Sequence, residues 1–167
     1  MAVNFIENME TGMEHLHKKG AFLTVKADDK VNTMTISWGS IGFEWKRPIF
    51  TVLVRKSRYT HQFIEKAGEF TVSIPLDDEM KEALAFCGTK SGRNIDKFKQ
   101  CNLNIQQGKK INTPAIDKCG LIYECKVVYK QDMDLSLLDE GIKNDCYKDD
   151  DYHTVYYGEI VGCYLNK

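Results

Sequence analysis

The sequence predicts a mainly β protein, an antiparallel barrel of Greek-key type with a few short helices, in one domain over residues 1–167. Three observations point there. Segments rich in β-branched and aromatic residues recur at 21–25, 31–38, 48–56, 69–75, 120–133 and 153–165. The helical patterns between them are short and irregularly placed, so the chain lacks the strand–helix alternation of a doubly wound parallel sheet. Its 167 residues, 43% apolar and 28% charged, suffice for one hydrophobic core, and no repeat, low-complexity tract or linker divides them.

Residues 1–20 form an amphipathic lead-in helix, with Phe5, Ile6, Met9, Met13 and Leu16 near helical spacing, until Gly20 breaks the pattern. AFLTV at 21–25 and VNTMTISW at 31–38 read as strands, the second bounded by DDK and GS. PIFTVLVRK at 48–56 is almost continuously apolar, as expected of a strand buried on both faces. A helix follows over 58–68, with Thr60 as N-cap and Gly68 as terminator. EFTVSIP at 69–75 is a strand ended by Pro75. The helix at 77–88 opens on acidic residues and stops at a glycine, in keeping with its macrodipole. TKSGRN at 89–94 is a basic loop leading to a helical turn at 95–98. The last two strands flank an acidic, polar stretch at 139–152.

Charge narrows the function classes. Lys plus Arg number 23 against 24 Asp plus Glu, a net charge of −1, which gives no overall attraction to nucleic acid or an anionic membrane. No stretch reaches the length of a bilayer-spanning segment, and residues 1–20 lack a basic leader followed by an apolar block, so the cytoplasm is the expected compartment. The six cysteines, at 87, 101, 119, 125, 146 and 163, show neither C-x-x-C nor zinc spacing with histidine. They are expected as reduced thiols packed like small hydrophobes, with no metal site.

Four segments carry chemistry. In 31–38, period two puts Asn32, Met34, Ile36 and Trp38 on one face and Thr33, Thr35 and Ser37 on the other. Aromatic and apolar surface beside amide and hydroxyl donors suits a flat heteroaromatic ligand. Taken alone, the plainer account is a core Trp38 among ordinary strand threonines. Arg55, Lys56, Ser57, Arg58, Tyr59 and Thr60 stand where a strand gives way to a helix, a place that suits an anion or, equally, a solvated turn. Lys97 follows the loop through Ser91, Gly92 and Arg93, and is either a cation for a ligand or a surface lysine. His153, opening the last strand, could donate to a ligand or relay protons near neutral pH. No Walker or G-x-G-x-x-G element is present.

Four stretches in register, NTMTISWGSIG (32–42), RPIFTVLVRKSRYT (47–60), SGRNIDKF (91–98) and HTVYYGEIVG (153–162), resemble the flavin reductase-like FMN-binding family, flavoredoxins included. The resemblance covers about residues 20–165. It implies a split barrel binding FMN at or near a homodimer interface. Asn32, Thr33, Met34, Thr35 and Trp38 would line the ring and ribityl chain. Arg55, Ser57, Tyr59 and Thr60 would lie near the phosphate end, with Ser91, Gly92 and Arg93 further candidates. Lys97 would approach the flavin and His153 its redox-active side. The implied function is an oxidoreductase moving hydride or electrons between NAD(P)H, or a redox partner protein, and flavin. The alternatives are an electron carrier without its own small-molecule substrate and a non-redox flavin-binding module.

Overall fold

A computed structural model describes residues 3–166; Met1, Ala2 and Lys167, the ends of the expected lead-in and domain, lie outside the described residues. In chain order the elements are α1 (Met9–Lys19), β1 (Ala21–Ala27), β2 (Lys30–Ile36), β3 (Gly39–Glu44), β4 (Arg47–Arg55), α2 (Tyr59–Ala67) and β5 (Glu69–Ile74). There follow α3 (Lys81–Thr89), α4 (Lys97–Gln100), β6 (Ile105–Gln106), β7 (Ala115–Ile116), β8 (Leu121–Asp132), a 3-10 turn (Leu135–Leu137), α5 (Glu140–Cys146) and β9 (His153–Leu165).

Seven strands form one sheet in the order β2-β1-β5-β8-β9-β4-β3, with antiparallel neighbours throughout. The chain leaves β4 near one end of this order and crosses through α2 to β5 in the other half, the long return of a Greek key. Two register shifts in the β8–β9 ladder, at Glu124/Cys125 and Val127/Tyr129, add local twist that helps the sheet coil. Met34 and Ile36 of β2 and Ile41 of β3 pack on the same core, yet no ladder joins β2 to β3 among the described residues. The coil is left split along that seam.

The main core fills the coil with Leu23, Val25, Phe50, Val52, Val54, Phe70, Val72, Tyr123 and Tyr156; α1 contributes Leu16, and α2 adds Phe63 and Ile64. A second cluster, Phe22, Leu84, Cys87, Leu103, Ile116, Cys119 and Ile122, packs α3 and β7 against β1 and β8. Cys87, Cys119 and Cys125 thus sit in apolar packing, and all six cysteines are free thiols.

Several expectations change with the packing. β2 ends at Ile36, and Trp38 lies in the connector to β3, 46% exposed. β4 buries Phe50, Val52 and Val54 on one face but leaves Thr51, Leu53 and Arg55 half-buried on the other. It is β1 that contributes to both cores, with Leu23 and Val25 in one and Phe22 in the other. Thr60 is not an N-cap: Arg58 holds that place, and Thr60 is buried inside the first turn of α2. Gly68 does end α2, at φ 64°, with its N–H donating to Ile64 O. Gly88 lies within α3, where a Cβ would come 3.4 Å from Thr35 Cβ, and Lys90 caps the helix. The lead-in becomes helical only at Met9, leaving Phe5 and Ile6 outside the helix. The stretch 139–152 contains α5, started by Asp139, whose carboxylate accepts from Ile142 N–H at 3.1 Å.

Candidate functional site

Beside the seam, Met34, Thr35, Ile36, Ser37, Trp38, Leu53, Arg55, Arg58 and His153 line a cavity of about 200 Å³. Next to it, Asn32, Ser57, Tyr59, Thr60, Thr89, Lys90, Ser91, Gly92, Arg93 and Lys97, again with Met34 and Arg58, line one of about 130 Å³. The shared residues make the two ends of one groove. β2 supplies one wall, the end of β4 and start of α2 another, and the α3–α4 loop closes the second end.

The first end is aromatic. Trp38 and His153 lie with ring centroids 5.4 Å apart, inclined at 51°. His153 pairs with Arg55 across the β4–β9 ladder, which brings both side chains to the same end of the sheet. Its Nδ1 is 2.6 Å from the Tyr147 hydroxyl, and the Tyr147 ring lies beneath the Arg55 guanidinium at 5.2 Å. Burial, reinforced by Arg55, holds the His153 imidazole down at about 4, so at neutral pH the ring is uncharged. Tyr147 fixes its orientation through Nδ1, which leaves Nε2 for a ligand. Arg55 is held in turn by the carbonyls of Asp151 and Cys146, the latter at 2.8 Å.

The second end is cationic. Lys97 is 4% exposed and donates to Thr33 O at 2.8 Å and Cys87 O at 3.0 Å. Burial pushes its pKa down, and its hydrogen bonds run only to neutral carbonyls. Arg58 donates to Gly88 O at 3.1 Å. Arg93 donates to Ser57 O at 3.1 Å and stacks on Tyr59 at 5.1 Å. None of the three forms an ion pair with a carboxylate among the described residues. Asn32 Nδ2 donates to Thr60 Oγ1 at 2.8 Å, tying β2 to α2. Gly92 fits against this link because it has no side chain: a Cβ there would stand 2.0 Å from Asn32 Oδ1.

The groove therefore gathers Asn32, Met34, Thr35, Trp38, Arg55, Ser57, Tyr59, Thr60, Ser91, Arg93, Lys97 and His153. Thr33 faces elsewhere: its hydroxyl is buried 3.0 Å from Thr24 Oγ1, and only its carbonyl takes part, through Lys97. Arg55 belongs to the aromatic end, and Lys97 to the cationic end. Arg58, which lines both cavities, was detectable in the 55–60 basic run but not distinguishable from its neighbours. Tyr147 left no signal, since only the return of α5 onto β9 brings it to His153.

The sequence matches the Flavin reductase like domain family over residues 13–167. It is 32% identical over 116 residues to an uncharacterized protein of Archaeoglobus fulgidus, covering 70% of this chain and 64% of that one, so the chain spans under two thirds of that relative. The fold superposes on a flavoredoxin from Methanosarcina acetivorans with TM-score 0.71 and 26% identity, over 89% of this chain and 68% of that one. It superposes on an FMN-binding protein from Thermus thermophilus with TM-score 0.67 and 21% identity, over 87% and 68%. With its antiparallel sheet coiled round a seam and its groove opening beside that seam, the chain belongs to the flavin reductase-like domain family and has the split-barrel fold.

Proposed function

We propose that the groove binds FMN, with the flavin ring at the Trp38–His153 end and the phosphate at the Arg58–Arg93–Lys97 end, and that the protein is an oxidoreductase taking hydride from NAD(P)H. The observation carrying this reading is the polarity of the groove. Three cations without carboxylate partners among the described residues stand at one end, and a tilted aromatic pair with a neutral imidazole at the other. Such a layout suits a ligand with a dianionic tail and a flat, apolar, hydrogen-bonding head. The donor set fits FMN on these grounds.

When bound, the flavin supplies the hydride-accepting centre, and the protein contributes binding and orientation. Trp38 and Met34 offer apolar surface to the ring. His153, held by Tyr147, keeps a neutral imidazole at the reacting end, where it can hydrogen-bond without adding charge. Arg55 stands there with donors on two backbone carbonyls and the Asp149 carboxylate 3.6 Å away, which offsets part of its charge. Arg58, Arg93 and Lys97 fix the tail. The experiment is an absorbance titration: the chain with FMN acquires a perturbed flavin spectrum that bleaches with NADH or NADPH. An unperturbed flavin spectrum sinks the binding reading. Bleaching by dithionite alone favours the second reading, an electron carrier without its own small-molecule substrate, which the likeness to the Methanosarcina flavoredoxin supports.

The reading includes a homodimer. Trp45, Tyr129 and Tyr157 form an outward cluster with centroids 5.4 to 5.9 Å apart, and Trp45 is 58% exposed. A second copy covering it would remove that aromatic surface from water. Sedimentation of the native chain and of Tyr129→Glu tests this: a dimer that the charge dissociates supports it, and a monomeric native chain refutes it.

A further inference from the structure

We propose that Asp151 acts as an internal anion that competes with the flavin phosphate for Ser57, so that it offsets part of the groove's preference for a phosphorylated ligand and keeps that ligand exchangeable. The inference rests on the flavin reading above. Ser57 lies one residue before the N-cap of α2 and lines the cationic end of the groove. Its N–H and hydroxyl form the kind of donor pair that receives an anion ahead of a helix. Both are already in use: the N–H donates to Asp151 Oδ1 at 3.2 Å and Oγ to Oδ2 at 2.5 Å. One carboxylate thus occupies both donors.

Asp151 does not reach Ser57 by accident of a loose loop. The 146–152 segment is fastened along 55–57 by Arg55 to the carbonyls of Asp151 and Cys146, and by Lys56 N–H to Tyr152 O at 3.3 Å. The carboxylate is therefore held beside the groove. A phosphate engaging Ser57 must displace it, a cost that falls only on a ligand with an anionic tail. Riboflavin has the same ring and ribityl chain without the phosphate, so it isolates the effect.

The test measures affinity of the full chain for FMN and for riboflavin, by flavin fluorescence, in the native protein, Asp151→Asn and Asp151→Glu. Asn preserves an acceptor for Ser57 while removing the charge. At a separation of several ångströms in a partly hydrated groove, its loss should tighten FMN by about three- to tenfold and change riboflavin by less than about twofold. Asp151→Glu, which retains the charge, should keep the native FMN-to-riboflavin ratio. A ratio unmoved in Asp151→Asn, or both flavins tightening equally, overturns the proposal while leaving flavin binding intact. A native chain that binds neither flavin overturns the flavin reading as well. On the native chain, FMN but not riboflavin should shift the Ser57 amide resonance as its acceptor changes; a stationary resonance with FMN bound also refutes the competition.

Discussion

Lowering the pH should destabilise this protein through His153 before most carboxylates titrate. In the folded chain, burial and then the Arg55 guanidinium keep the imidazole neutral down to about 4, against 6.5 for the ordinary group. Between those values the unfolded chain takes up a proton that the folded chain refuses, so stability falls as pH falls. The contribution is fully present above about 6.5 and lost as pH drops through about 4. Over that window the linkage amounts to about 3 kcal/mol, of which about 2 kcal/mol is lost between about pH 7 and pH 5. The assay is urea unfolding at both pH values for the native chain and His153→Gln. Subtracting the variant's change cancels other groups, including His61, which burial also pushes down. The native chain should lose about 2 kcal/mol more than the variant. Equal losses would show that His153 is free to protonate in the folded state, and would refute the neutral imidazole at the groove.

Three further outcomes follow from the same geometry. Gly92→Ala should displace Asn32 and break its bond to Thr60, costing about 1–2 kcal/mol by thermal unfolding, and adding Asn32→Ala should recover part of that loss. Lys97→Met removes a buried cation, so FMN affinity should fall by roughly tenfold or more while riboflavin affinity changes far less; equal losses would assign Lys97 a purely structural role. Trp38→Ala should alter the visible spectrum of bound FMN with little effect on unfolding, because Trp38 is half exposed and outside both cores; an unchanged spectrum would remove it from the ring site.

What could be read from the chain alone divides along the range of the interactions. Alternation in 31–36 and the β-branched runs at 69–74 and 153–165 located strands, because period two is a local property. Asn32, the 55–60 run and Lys97 could be grouped only through the family resemblance of their stretches, since each alone suited an ordinary strand, turn or surface lysine equally well. The short strand β3 escaped, because GSIGFE has little β character and is held by its ladder to β4. The double burial assigned to 48–56 belongs to β1, and apolar content could not reveal that one face of β4 opens on the groove. Most opaque was 139–152, whose polar sequence suggests a loop. Its Tyr147 and Asp151 become partners of His153 and Ser57 only after α5 folds back, a placement set by tertiary contacts.

The seam between β2 and β3 has a mechanical consequence. The wall carrying Asn32 and Met34 and the wall carrying Leu53 and Arg55 face each other across the groove, but along the hydrogen-bonded ladder they are separated by β1, β5, β8 and β9. The sheet works like the arms of a calliper whose hinge is its far side: small changes in strand twist accumulate around the coil and appear as a change in jaw width. The irregular stretch at Glu124/Cys125 lies near that hinge. Straightening it by deletion should alter the gap between Met34 and Leu53 without touching either residue, which makes the back of the barrel a place from which ligand fit can be tuned.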